Sequence, residues 1–246
     1  MQTLFIIKTG STFASLSRQF GDFDSWIRTA LGPVSFPVIT VDAEKTEVLP
    51  AAEDCCGVII TGSHAMVTDA LSWSRILEAW IPSLLQAKIP LLGICYGHQL
   101  LARAAGGEAG FHPRGPETGT VMLTRLPESK GDPLLGSLPP SFPVHATHAQ
   151  TVLKLPDNAI RLAFSDHEAN HAFRIPPCAW GVQFHPEYTE AIMQAYILEE
   201  KLRGERNEST TDTLLKNVVA TPQASELLQT FARIVQKFSY IPGDHD

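Results

Sequence analysis

Short apolar, β-branched runs alternate with longer segments of helical periodicity through the first half of this 246-residue chain. The runs fall at 4–7, 37–41, 58–61 and 90–94, and the helical patterns at 15–31, 72–86 and 99–106. Strands that alternate with helices have few ways to close. They pair in parallel, and the helices cover both faces of the sheet. From 119 to 184 the rhythm changes. Runs at 121–126, 151–155, 161–165, 172–175 and 179–184 follow one another with short turns and no clear helix. That pattern predicts an antiparallel extension of the sheet or a hairpin layer on it. The expected fold class is therefore α/β, a three-layer sandwich around a mostly parallel central sheet.

Beyond the strands, 190–203 reads as a helix, and polar, turn-rich Gly204–Thr213 as a loop. Leu227, Leu228, Phe231, Ile234 and Val235 recur at helical spacing, which predicts an amphipathic helix over 225–238. The last residues, 243–246, read as a loose end. No internal repeat or interdomain linker interrupts the chain, so one domain over 1–246 is expected, with 204–246 as a loop-plus-helix extension.

A hydrophobic fraction of 44% with 18% charged residues is enough for a full core. The formal net charge of −7 argues against nucleic acid as the main partner. No uninterrupted apolar run has membrane-spanning length, and 3–7 is too short for a secretion signal. The expectation is a cytoplasmic protein whose four cysteines are thiols. Cys55, Cys56 and Cys178 lack metal-site spacing and read as small structural residues.

Cys95 is different. Gly93-Ile94-Cys95-Tyr96-Gly97-His98-Gln99 joins an apolar strand to a helical segment, so the cysteine falls on a glycine-flanked turn at a helix start. The positive end of a helix dipole favours a thiolate, and small neighbours let a substrate carbonyl approach. Downstream, Gln183-Phe184-His185-Pro186-Glu187 places a histidine and a carboxylate two apart after another apolar run. Cys95, His185 and Glu187 make a nucleophile, its base and the group that orients the base, a set suited to acyl transfer. The oxyanion calls for donors, for which the backbone N–H groups of Tyr96 and Gly62 are the candidates. His145 and His148 are spaced like a metal pair, but no further ligand joins them, so no metal site is expected. His64, His98, His112, His167 and His171 are scattered and read as mostly surface or loop residues.

The nucleophile stretch and Phe184-His185-Pro186-Glu187 together resemble the motifs of class I, triad-type glutamine amidotransferases, most of all the amidotransferase domain of GMP synthase. The likeness runs from about residue 40 to about 200. It implies a flavodoxin-like fold, glutamine as substrate, a γ-glutamyl thioester on Cys95, and release of ammonia and glutamate without a cofactor. Gln99 resembles the family residue near the bound glutamine. His145–Val152 resembles the stretch that lines the glutamine pocket, bringing His148, Ala149 and Gln150 to the substrate. Ala149-Gln150 and His64 depart from the family's usual residues. No Ser-Gly-Gly-x-Asp-Ser loop is present in the chain. The ammonia is therefore expected to pass to an unidentified acceptor or to a separate synthetase subunit. Two other readings stand beside this one: a γ-glutamyl peptide hydrolase on the same fold, and a non-catalytic regulatory binding module.

Overall fold

The computed structural model describes residues 2–46 and 48–239; the expected loose end at 243–246 lies outside them. In chain order the elements are β1 (Thr3–Lys8), α1 (Ala14–Phe20), α2 (Phe23–Leu31), β2 (Val38–Asp42), β3 (Cys55–Ile60), α3 (Ser72–Gln86), β4 (Leu91–Ile94), α4 (Tyr96–Ala104), β5 (Glu108–Phe111) and β6 (Glu117–Arg125). They continue with β7 (Ser141–His148), β8 (Gln150–Lys154), β9 (Ile160–Phe164), β10 (Ala172–Ile175), β11 (Ala179–Val182), α5 (Glu190–Leu202), α6 (Glu208–Asn217) and α7 (Pro222–Ser239).

Nine strands form one sheet in the order β2-β1-β3-β4-β11-β10-β9-β6-β7. The five from β2 to β11 run parallel, and from β11 onward each neighbour is antiparallel. This is the α/β architecture expected, with the change of rhythm falling where the sheet changes sense. β5 and β8 pair separately as a two-stranded ribbon.

Helices cover both faces. Ile27 and Leu31 of α2 share one core with Leu227, Leu228 and Phe231 of α7 and with Leu4, Ile59 and Leu92 of the sheet. Leu77, Ile81 and Leu84 of α3 share the other with Leu100 and Leu101 of α4 and with Val58, Ile60 and Leu91. Each large aliphatic side chain so buried contributes about 1.5–3 kcal/mol. The C-terminal helix is thus a structural layer: α7 packs on α2, β3 and β7, spanning both halves of the sheet.

The periodic segment 15–31 is two helices. Gly21 at φ +87° ends α1, and Asp22 caps α2 through a capping box with Ser25. The loop expected at 204–213 stops at Asn207, whose side chain accepts from Thr210 N–H and starts α6.

Candidate active site

Cys95 lies between β4 and α4, at the carboxyl edge of the parallel strands. Its backbone is at φ +49°, ψ −97°, a conformation that costs a non-glycine residue of order 1–3 kcal/mol. Hydrogen bonds hold the turn: Cys95 N–H donates to Val182 O at 2.8 Å, and Gly97 N–H to Thr61 O at 3.2 Å. A side chain at Gly93 would strike the backbone of Gly97, and one at Gly97 would strike Ile60. The two glycines therefore let strand, turn and helix pack on each other. They do not face the cavity, which corrects the expectation that they open a path for the substrate carbonyl.

The Cys95 thiol donates to Thr147 O at 3.7 Å, and the His185 ring stands beside it against Gly62. His185 follows β11, the neighbour of β4, so sheet order alone brings the two together. Its own backbone N–H donates to His145 O at 2.8 Å. The ring Nδ1–H donates to Glu187 Oε1 at 2.7 Å, which leaves Nε2 for Cys95. Tyr188 stacks on the ring at 4.1 Å, and Phe23 lies near-parallel to it at 6.3 Å. Both His185 and Glu187 are buried. Burial opposes an imidazolium here, but the charges of Glu187 and then Cys95 outweigh it, raising the His185 pKa from 6.5 to about 10.

Gly62 stands against this pair: a Cβ there would come within 2.9 Å of His185 Cε1 and 3.6 Å of Cys95 Cβ. Thr9 and Thr61 hydroxyls both reach Gly62 O at 2.9 Å and fix the loop. Tyr96 opens α4, so its N–H has no helical acceptor one turn back. The connection after β1 proves to be part of the rim. Thr9 pins the Gly62 loop, Thr12 Oγ1 meets Tyr196 OH at 2.8 Å, and Phe13 lines the cavity.

A cavity of about 450 Å³ opens above Cys95, and Tyr96, Gln99, His148, Ala149, Gln150 and His185 all contribute to its wall. Their polar groups are partly committed. Gln99 Nε2 donates to Gln150 O at 2.8 Å and Gln183 Oε1 at 3.1 Å, tying α4 to β8. The Gln150 amide bonds Thr68 Oγ1 at 2.6 Å. Ala149 O accepts from His112 N–H at 2.9 Å.

The histidines depart most from expectation. His98 is buried within α4, and His112 and His171, which do lie in connections, are buried as well. His98 packs against Phe173 at 4.8 Å, and burial lowers its pKa to about 3. His145 and His148 do not meet, because residues three apart on a strand face opposite sides. His145 Nδ1 meets Thr120 Oγ1 at 3.2 Å. His148 Nε2 instead donates to Glu117 Oε2 at 3.0 Å, and His171 Nε2 reaches the same oxygen at 3.1 Å. These three residues hold their ligand atoms within 4.8 Å of one another, a grouping that could take a metal ion. The shared carboxylate oxygen meets Nε2 of both rings; His148 Nδ1 meets Gln150 O at 3.0 Å, whereas His171 Nδ1 is buried without a hydrogen-bond partner. Burial alone would raise the Glu117 pKa, but the two histidine hydrogen bonds hold it well below the usual range.

The α5–α6 corner also belongs to the site, although no motif in its sequence points there. Glu200, Arg203, Glu205 and Arg206 close one side of the cavity, and Tyr188 and Tyr196 lie beneath them. No helix of the described residues is long and apolar enough to cross a membrane.

The arrangement defines an open α/β protein with a cysteine–histidine–carboxylate constellation at its strand ends. Residues 20–204 match the family described as glutamine amidotransferase class-I, and the chain belongs to it. It is 36% identical over 166 residues to a GMP synthase (glutamine-hydrolyzing) of Aeropyrum pernix, covering 68% of this chain and 30% of that protein. A GMP synthase (glutamine-hydrolyzing) subunit of Natronomonas pharaonis is 36% identical over 153 residues, 58% of this chain and 72% of its own. Gamma-glutamyl peptidase 4 of Arabidopsis thaliana is 28% identical over 197 residues, 77% of this chain and 76% of its own. Among solved structures, a glutamine amidotransferase of Thermotoga maritima superposes with TM-score 0.73 at 20% identity, over 98% of this chain and 99% of that one. One from Methylobacillus flagellatus gives 0.75 at 20% identity, over 100% and 98%.

Proposed function

We propose that this chain hydrolyses the side-chain amide of glutamine through a thioester on Cys95. The observation that carries this reading is the Cys95 thiol, held on a strained strand–helix turn beside a buried, hydrogen-bonded His185–Glu187 pair. In the reaction, sulfur attacks the γ-carbonyl carbon, and the oxyanion is met by the N–H groups of Gly62 and Tyr96. The C–N bond breaks as His185 gives its proton to the leaving amine, which departs as ammonia. Water then adds to the thioester with His185 as base, releasing glutamate and the free thiol. Glu187 keeps the imidazole oriented and stabilises its charged form. Gln99, His148, Ala149 and Gln150 shape the wall that receives the glutamyl group. These steps use only side chains and backbone and call for no cofactor. The ammonia would pass to a separate synthetase subunit, a reading favoured by the likeness to a GMP synthase that is itself one subunit of its enzyme.

A second reading has a specific observation behind it. A cavity of about 450 Å³ exceeds the needs of glutamine, and a gamma-glutamyl peptidase aligns over most of both chains. The leaving amine would then be an amino acid or peptide, with the same chemistry at Cys95.

The test is glutamate release from glutamine by the purified chain, with Cys95→Ala beside it. The expected result is turnover by the wild type and none by a variant of unchanged circular dichroism. Residual turnover in the folded variant would overturn the mechanism.

A further inference from the structure

Two groups of residues contribute to the cavity wall beside Cys95: Gln99, Ala149 and Gln150, with Gln99 bonded to Gln150 O, and Phe13, His64, Tyr196 and Arg203, joined by ring contacts. His185 is continuous with the second group. Its ring stacks on Tyr188 at 4.1 Å, Tyr188 on Tyr196 at 5.1 Å, Tyr196 meets Phe13 at 5.2 Å, and the Arg203 guanidinium lies over Phe13 at 4.9 Å. In the reaction given above the proton for the leaving amine comes from His185, so this row borders the place from which the amine departs. Ammonia has neither apolar surface nor negative charge to match it.

The two arginines at the end of the row differ. Arg206 is a strut: it is mostly buried, its Nε donates to Glu200 Oε2 at 2.5 Å and a second nitrogen to Thr118 Oγ1 at 2.6 Å. Arg203 is half exposed, and its contacts are Nε to Glu205 at 3.2 Å and Nη1 to Glu199 at 4.0 Å. Exposed pairs of this kind hold weakly. A guanidinium that lies over an aromatic ring at a cavity wall, held otherwise only by exposed pairs, is suited to a carboxylate.

We propose that Phe13, Tyr196 and Arg203 form a leaving-group subsite for an amine with an apolar body and a terminal carboxylate. The substrate class is then a γ-glutamyl amino acid or short γ-glutamyl peptide with an apolar second residue. This rests on the acyl-transfer reading of Cys95 given above. Sulfur attacks the γ-glutamyl carbonyl, the amide C–N bond breaks, and His185 protonates the departing amino acid. Water completes the hydrolysis to glutamate. Arg203 acts on the carboxylate of the departing amine and takes no part in the proton transfers.

The experiment compares kcat/KM for γ-glutamyl-phenylalanine and its C-terminal amide, with glutamine alongside, in the wild type and in Arg203→Gln. The wild type should prefer the acid by about 10-fold or more, the scale of one charge-assisted hydrogen bond. Arg203→Gln should bring the ratio near one. A merely structural arginine would depress acid and amide alike and leave the ratio unchanged, which overturns the proposal. Equal rates for acid and amide in the wild type do the same. Hydrolysis of glutamine with neither γ-glutamyl-phenylalanine compound cleaved overturns the subsite but leaves the amidase reading standing. Failure of all three substrates to acylate Cys95 overturns both.

Discussion

In the parallel half of the sheet, the chemistry-bearing groups stand where strands end. Thr9 follows β1, Gly62 follows β3, Cys95 follows β4 and His185 follows β11, so four connections deliver their groups to one edge. In the antiparallel half the ionisable groups sit within the sheet. Glu117 and His148 are direct cross-strand partners of β6 and β7, and His171 joins them from the start of β10. The two arrangements have different consequences. Parallel strands send all their carboxyl-end loops to one side, which suits a site assembled from several connections. An antiparallel ladder fixes a pair by register, which suits a buried network that holds its own strands. Here the second arrangement supports the first. β7 ends at His148, one residue past the Thr147 carbonyl that faces Cys95, and its His145 carbonyl receives the His185 N–H.

Substitutions on the parallel side should therefore damage rate far more than stability. Glu187→Gln removes the charge that holds His185 as an imidazolium but keeps the shape. It should lower kcat by roughly 100-fold or more, yet less than loss of Cys95 or His185, since Glu187 bonds neither substrate nor sulfur. The same variant should lower the pKa of His185 from its raised value, readable by NMR of the ring. A loss equal to that of Cys95→Ala would assign Glu187 a direct role. Gly62→Ala comes next. Its new methyl would sit 2.9 Å from His185 Cε1, so the ring must shift. A displacement of this kind should cost about 10- to 100-fold in kcat, with the melting temperature little changed. Full activity in the alanine variant would show that the ring has room to yield.

The same division explains what is legible in the sequence. Strand–helix alternation, the glycine-flanked cysteine and the His-Pro-Glu turn are local signals, and each lands on the parallel half. β7 is absent from the expected strands although Phe142, Val144 and Ala146 alternate along it, because Pro143 inside the run reads against a strand. Without β7, no spacing reveals that Glu117 faces His148 across a ladder. The burial of His98 and His171 is hidden for a related reason: an imidazole in a core leaves no periodic mark, since burial is decided by neighbours far along the chain. α6 is equally hidden because it buries only Thr211 and so presents no apolar stripe. The aromatic row needs the β1–α1 connection, which carries Phe13, to meet Tyr188 of the β11–α5 connection and Tyr196 of α5. That the chain belongs to its family rests on the two motifs and on the match over 20–204, whereas the shape of the leaving-group wall comes only from the fold.

The antiparallel half should show the reverse pattern, stability before rate. Glu117→Gln removes the charge from the one oxygen that both imidazoles share, so both rings are left with a weaker neutral acceptor, or with none where the amide nitrogen takes that place. A buried charge-assisted pair broken in this way should cost about 2–3 kcal/mol, a fall in melting temperature of roughly 4–10 °C for a chain of this size. The pH dependence sharpens the test. The Glu117 pKa is depressed in the folded state, so its contribution is complete above the ordinary value of 4.5 and is lost as pH falls below it. The stability gap between wild type and variant should therefore be constant near neutrality and close as the medium is acidified below about pH 4.5. His98 and His145, lowered to about 3 and about 4 by burial, also destabilise the fold as pH drops below 6.5, but they do so in both proteins and cancel in the difference. Urea unfolding of the two proteins at stepped pH measures the gap directly. A gap that stays constant to about pH 3 would mean that Glu117 holds its neighbours by shape alone, and the charged network would lose its place as the brace beneath the site.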